Sequence, residues 1–395
     1  MVLMANYSSQ VTSKMNQSGT EFTEEDSKLI DLPQGWAIFL VLVMILVQVL
    51  TVVGNITVLV VLRYSNVLNM VVNSSLLVSL SIADLLVAIL VMPCALDAIN
   101  TGSWRWGKIW GKFNAFGNFL FCISSIMHLM VLSFDRYLAI SRPLFYPIEM
   151  TNKRAVIICF AVWMYSALWA FLPLFGVSSY ECFISYIGEC QARDWSKYGL
   201  NFVFAISVVS GTYGLALIAM VCAYWKIALV IRHQSQRIAN VATSCNSSLS
   251  DTNNMNSSSR SSIALTRKLS KYKGVITLLI VIIVYLICWS PFCFLLFYEI
   301  ARGEKVKGPA STVAMLAGFA NSCCNPTIYA IKYKNFRTAV IRLLLKNRVN
   351  LDNEYLDRRK NNVQLRTLEN NTRNSELNAK VATPGLSSIN KHYFS

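Results

Sequence analysis

The sequence predicts an all-α membrane protein: a bundle of seven transmembrane helices followed by a short amphipathic helix on the membrane surface. Three observations lead there. Only 14% of the 395 residues are charged while 54% are hydrophobic, well below the roughly 25% charge of an ordinary soluble domain. Apolar runs of about 20 residues or more, nearly free of charge, recur along the chain. Seven of them can be read, an odd number that argues against two equal inverted repeats of the transporter kind. No fixed period links them, so a solenoid or propeller is excluded.

The runs fall at about 36–63, 72–97, 112–133, 155–176, 200–225, 274–298 and 309–331. Residues 1–35 precede them and carry Glu21, Glu24, Glu25, Asp26 and Asp31. Basic residues instead gather after the fifth and seventh runs, among them Lys226, Arg232, Arg267, Lys271, Arg337 and Lys346. Such clusters sit on the cytoplasmic side and favour anionic lipid and acidic partners. The net charge of +16 is thus explained without nucleic acid. The expected topology is a multi-pass plasma-membrane protein, N-terminus extracellular and C-terminus cytoplasmic. No cleavable signal pattern precedes the first run, which would then be its own insertion signal. Asn6-Tyr7-Ser8 and Asn16-Gln17-Ser18 fit the glycosylation pattern on that outer segment.

The bundle is expected over 36–332. Within it, the loop at about 234–266 holds "SCNSSLSDTNNMNSSSRSS", too poor in apolar residues for a core and therefore expected to be disordered. Over 333–346 the sequence places Phe336, Val340, Leu343 and Leu344 on one helical stripe with basic residues opposite, which suits a helix lying on the bilayer. The tail, 347–395, reads as disordered.

Polar residues inside the runs mark function, because a charge at mid-bilayer costs about 2.5–3.5 kcal/mol on insertion scales. Asp84 stands in "SLSIADLLVAILVMP". Asn55, Ser125, Asn321, Ser322 and Asn325 supply further oxygens and amides from other runs. Together they read as a hard-cation site, with sodium the expected ion. The alternative is an acid satisfied by its neighbours for packing.

Six motifs occur in order, one in each run except the fifth: Gly54-Asn55, "LSIAD", "FDRYLAI" (Phe134–Ile140), Trp163, "CWSP" (Cys288–Pro291) and "NPTIY" (Asn325–Tyr329). In this set the chain resembles the rhodopsin-like (class A) G-protein-coupled receptors, most of all their amine, melatonin and adenosine side. The resemblance implies coupling to heterotrimeric G proteins and to arrestin, an extracellular ligand, and no cofactor beyond an allosteric sodium ion. It implies that Asp135 pairs with Arg136 in the resting state, beside Tyr137, and that Arg136 turns to the G protein on activation. Pro143 and Leu144 match the segment that docks on the G protein. Pro291 and Pro326 each remove a helix hydrogen bond. Trp289 would couple ligand to the sixth helix, and Asn325 would loosen the seventh so that Tyr329 moves inward towards Tyr224.

Several positions depart from the family pattern. Gly111, four residues after Gly107 in "WRWG", stands where the family has a cysteine. Cys182 and Cys190 of the second outer loop are therefore expected to bridge to each other in the oxidising outer compartment, the alternative being two free thiols. Ala216 replaces the usual fifth-span proline and is expected to remove the bulge there. Tyr285 stands where phenylalanine is common. Lys271 takes the place of an acid that would hold Arg136, which predicts basal activity. Ser270, in "TRKLS", resembles a basic-directed phosphorylation site.

For the ligand, the third run carries Asn114, Asn118, Cys122 and Ser125 at helical spacing. Monoamine receptors have an aspartate at the position of Asn118, and opsins a lysine at the position of Phe319. Phe119, Trp289, Phe292 and Met315 suggest an aromatic, largely apolar pocket. Asp97 and Glu299 read as solvated rim charges or as a cation site. No metal-ligand spacing, phosphate loop or catalytic triad is present, so the chain is not expected to be an enzyme. The rival is an ion channel or transporter with Asp84 on the ion path.

Overall fold

The computed structural model describes residues 34–64, 74–101, 104–177, 180–181, 191–192, 200–247, 257–302, 306, 309–332 and 336–345; side chains at 108, 180–181, 191–192, 200–201, 235, 238–247 and 257–279 lie outside that description. The chain divides into two units, Met1–Arg337 and Thr338–Ser395.

Among the described residues, the first unit holds seven long helices in the order the sequence predicts. They are the first span Gln34–Tyr64, the second Ser74–Thr101, the third Gly107–Ser141, the fourth Asn152–Phe171, the fifth from Leu200 to Ser247, the sixth Ser257–Arg302 and the seventh Pro309–Lys332. Six of the seven are long and apolar enough to cross a membrane. The seventh has the length, but Asn321, Ser322 and Asn325 dilute its hydropathy. The second and third spans are the most enclosed, and the first, fourth and sixth leave most of their surface outward. Ile56, Phe160, Ile218 and Phe294 are among the large apolar side chains so exposed, as lipid requires. A short helix, Tyr146–Glu149, follows the third span.

Two glycines set close approaches. A Cβ at Gly54 would come within 2.8 Å of the Pro326 ring, and one at Gly211 within 2.8 Å of Trp169. Gly54 thus brings the first span onto the seventh at its proline, and Gly211 lets the fifth accept the Trp169 indole.

The second span contains a π turn at Val87–Val91, just before Pro93. Pro93 has no N–H to continue that pattern, and the freed Ala88 carbonyl is taken by Gln48 Nε2 of the first span at 3.0 Å. A freed carbonyl in hydrocarbon must find such a donor.

The fifth span corrects an expectation. Ala216 removes no bulge: a π turn occupies Ser210–Gly214. Its carbonyls are capped from two sides, Gly211 by the Tyr165 hydroxyl at 2.7 Å and Tyr213 by the Tyr285 hydroxyl at 3.1 Å. Two glycines and two tyrosine donors therefore do what a proline does elsewhere.

The segment 234–266, expected to be disordered, is largely helical where described. The fifth span runs on to Ser247 and the sixth begins at Ser257, because a helix already nucleated in a span propagates at little cost. Residues 336–345 are helical, within the stretch predicted for the surface helix, and Ile341, Leu344 and Leu345 expose their side chains. Asn6, Asn16, Cys182, Cys190 and the tail beyond 345 lie outside the described residues, as do the side chains of Ser270 and Lys271.

Candidate functional site

Three groups of buried side chains lie along the third span. At the end nearer Trp104, a cavity of about 80 Å³ opens between the third, fifth, sixth and seventh spans. Asn118, Phe119, Cys122, Trp289, Phe292 and Met315 are among the residues that line it. Thr212, Tyr213, Cys293 and Leu296 line it too and were missed, since nothing in the fifth and sixth runs separates cavity-facing from core residues. The Cys122 thiol donates to Asn118 Oδ1 at 3.1 Å. The buried Trp289 indole N–H has no partner among the described residues, and Gly318 beside the ring leaves it room. Asn114 does not line the cavity. Its amide turns to the second span, 3.3 Å from the Leu90 carbonyl and 3.4 Å from that of Val91, drawn there by the backbone that the π turn distorts.

The second group surrounds Asp84, which is fully buried. Ser125 Oγ donates to one carboxylate oxygen at 2.7 Å and Asn325 Nδ2 to the other at 3.0 Å. The Ser322 side chain also reaches the carboxylate. Asn55 donates to the Ser322 and Thr51 carbonyls at 3.1 and 2.9 Å. Asn321 is buried, and its Nδ2 has no partner among the described residues. The structure thus gathers Asp84, Ser125, Ser322 and Asn325 from three spans into one oxygen-rich group, while the Asn321 amide makes no bond to it. A hard cation fits this donor set: one carboxylate, two hydroxyls and an amide oxygen.

The third group is at the far end of the third span. Asp135, fully buried, pairs with Arg136, whose side chain is 14% exposed. The Arg136 Nε donates to Asp135 Oδ2 at 3.0 Å. Tyr146 completes the group: its hydroxyl donates to Asp135 Oδ1 at 2.7 Å and receives an Arg136 N–H at 3.3 Å. Burial, and then the bond to Asp135, push the Tyr146 phenol above its ordinary value, so it stays a neutral donor. Sequence reasoning missed Tyr146; its position in the turn between Pro143 and Pro147 was the available signal. Tyr224 meets Ser133, its hydroxyl 2.5 Å from Ser133 Oγ, and Ser133 in turn donates to the Leu129 carbonyl. Pro143 and Leu144 lie on the turn after the third span, with Leu144 86% exposed. Tyr137 is half-buried, 5.7 Å below the Lys226 ammonium.

Of the rim acids, Asp97 binds Arg105 and accepts the Trp106 indole N–H at 3.0 Å. Glu299 accepts the Val306 N–H at 3.0 Å. Asp97 therefore ties Arg105 and Trp106, which precede the third span, to the second span. A two-stranded ladder pairs Tyr180 with Ala192 and Glu181 with Gln191, the residues just before Cys182 and just after Cys190.

Comparison with known proteins adds the family level. The model for "7 transmembrane receptor (rhodopsin family)" matches residues 54–329. The chain is 28% identical over 299 residues to the dog (Canis lupus familiaris) histamine H2 receptor, covering 74% of this chain and 76% of that one. It is 26% identical over 319 residues to G-protein coupled receptor 161 of Xenopus tropicalis, covering 77% of this chain but 60% of the relative. Squid rhodopsin superposes with a TM-score of 0.64 at 18% identity, over 81% of this chain and 90% of the other, a likeness of fold.

Proposed function

Because the chain belongs to the rhodopsin family of seven-transmembrane receptors, and so is a multi-pass G-protein-coupled receptor, we propose that it passes a small-molecule signal from outside the cell to heterotrimeric G proteins, with basal activity, its N-terminus extracellular and its C-terminus cytoplasmic. The observation that carries this reading is a single helix. The third span puts Asn118 in the cavity, Ser125 on Asp84, and Asp135 with Arg136 at its far end. A ligand that shifts this helix or its neighbours acts on all three groups. Arrestin and anionic lipid are the further partners, facing the basic end of the bundle. The channel reading rests on Asp84 alone, and the family match gives it no support.

The cavity favours an apolar ligand. Asn118 is an amide and cannot form the ion pair that an amine needs, and none of the described lining residues is acidic. Similarity to histamine H2 receptors therefore does not bring histamine with it. In nanodiscs, histamine is expected to leave nucleotide exchange by the wild type unchanged. A saturable, histamine-evoked rise in exchange would overturn the apolar-ligand reading.

Sodium is proposed to sit on Asp84, Ser125, Ser322 and Asn325. Wild-type basal exchange should fall as sodium replaces potassium at constant ionic strength, and Asp84→Asn should lose that dependence. A sodium response that survives in Asp84→Asn removes the ion from this group.

Basal activity is proposed on the ground of Lys271. Lys271 cannot act as an acidic latch for Arg136. A closed state favoured by only about 1–2 kcal/mol leaves roughly 3–15% of molecules active. Lys271→Glu is expected to lower ligand-free exchange severalfold; an increase would show that residue 271 does not restrain Arg136.

A further inference from the structure

Two tyrosines join the fifth span to the sixth beside the cavity. The Tyr285 hydroxyl, on the sixth, donates to the Tyr213 carbonyl at 3.1 Å. The Tyr213 hydroxyl, on the fifth, lies 3.0 Å from Ser290 Oγ of the sixth. Their rings stack, with centroids 5.3 Å apart and planes 18° from parallel. Tyr285 is fully buried, whereas Tyr213 also lines the cavity. The pair therefore runs from the candidate ligand site to the part of the sixth span before Pro291. The Tyr285 bond lies outside the family pattern. Phenylalanine, common where Tyr285 stands, has no hydroxyl, and the accepting carbonyl belongs to the π turn Ser210–Gly214, which forms here without a proline.

We propose that Tyr285 is a positioning residue for G-protein coupling: its bond to the Tyr213 carbonyl latches the sixth span against the fifth and sets how far the receptor signals without ligand, a role that rests on the receptor reading. Pro291 stands inside the sixth helix and takes away the hydrogen bond of the carbonyl one turn before it, which makes a hinge there. Ser290 adjoins that hinge, and Tyr285 lies six residues from the proline. At about 1.5 Å of rise per residue the two sit about 1.5 and about 9 Å from Pro291, so a bend of about 10° carries Tyr285 about 1.6 Å but Ser290 only about 0.3 Å. Such a shift opens the 3.1 Å bond beyond hydrogen-bond range and spares the contact with Ser290. The Tyr213 carbonyl is then left without that donor in a water-free bilayer, and the ring stack parts. In the structure the bond is closed together with the Asp135–Arg136 pair, the arrangement implied for the resting state. Lys271 supplies no acidic latch, so this bond carries more of the restraint.

The test compares full-length wild type, Tyr285→Phe and Tyr165→Phe in lipid nanodiscs. Each variant loses one hydroxyl that bonds a carbonyl of the same π turn, but Tyr165 does so from the fourth span, away from the hinge. Tyr285→Phe keeps the ring and places there the residue common in the family, so the variant folds. Without G protein, amide hydrogen exchange in the sixth span before Pro291 is expected to rise about threefold or more in Tyr285→Phe, as losing one neutral hydrogen bond implies, and to stay at the wild-type rate in Tyr165→Phe. With G protein, ligand-free nucleotide exchange should rise by a similar factor in Tyr285→Phe alone. Unchanged amide exchange in Tyr285→Phe, or an equal rise in Tyr165→Phe, overturns the latch and leaves only a cap on the π turn. Faster amide exchange in Tyr285→Phe, with nucleotide exchange no higher than that of an active wild type, overturns its role in coupling. Faster amide exchange in a receptor that exchanges nucleotide in neither form refutes the signalling reading and leaves the latch standing.

Discussion

Arg136→Ala is expected to lower receptor-stimulated nucleotide exchange at least about tenfold, while Asp135→Asn raises ligand-free exchange. The opposite signs follow from the cluster at the end of the third span. Asp135 is fully buried and holds Arg136, and Tyr146 bonds to both. Removing the arginine deletes the cation that would meet the G protein, and charge-assisted contacts of that kind contribute about 1.5–3 kcal/mol each. Removing the carboxylate charge releases the same arginine. Taking the cation from a buried carboxylate also costs about 3–5 kcal/mol, so exchange is measured per folded, purified receptor. Leu144→Ala, on the exposed turn beyond the cluster, should likewise weaken coupling without affecting folding. Full exchange in Arg136→Ala, or a fall in basal exchange in Asp135→Asn, would contradict the role given to the pair.

Gly54→Ala is expected to destabilise the bundle by about 1–3 kcal/mol, as overpacking a tight contact does, and Gly54→Val by more. The new Cβ would lie 2.8 Å from one carbon of the Pro326 ring and 3.0 Å from another. A proline ring has no rotamer with which to retreat, so the first span must move off the seventh. That movement disturbs the Asn55 bond to the Ser322 carbonyl and with it the Asp84 group. Thermal unfolding in nanodiscs reads the loss as a melting temperature lowered by several degrees. Gly35→Ala, with nothing within 4 Å of the added carbon, is the matched control. Equal melting temperatures for Gly54→Ala and Gly35→Ala would show that the contact is not tight.

The spans were legible because lipid imposes one rule, a long apolar helix, and six of the seven described spans obey it in full. The Asp84 group was legible for the complementary reason: an acid among apolar residues has few explanations. The cavity was partly legible. Phe119, Trp289 and Phe292 follow from motif neighbours, whereas Thr212 and Leu296 depend on how far each helix rotates, which periodicity does not fix. Local backbone changes were the least legible. Ala216 suggested a regular fifth helix, yet the π turn is held by Tyr165 and Tyr285, tens of residues away on other spans. Asn114 was misread for the same reason, since its partners are carbonyls exposed by a distortion in the second span. Tyr146 escaped notice because its meaning depends on the fold of a short turn.

Coupling and transport can be measured in the same vesicles. Purified receptor reconstituted in liposomes would be given G proteins of each class and a labelled guanine nucleotide, with sodium flux followed in parallel. Receptor signalling predicts exchange above receptor-free vesicles, reduced by Arg136→Ala, and sodium flux at background. Sodium flux that disappears in Asp84→Asn, with no exchange on any G protein, would contradict it.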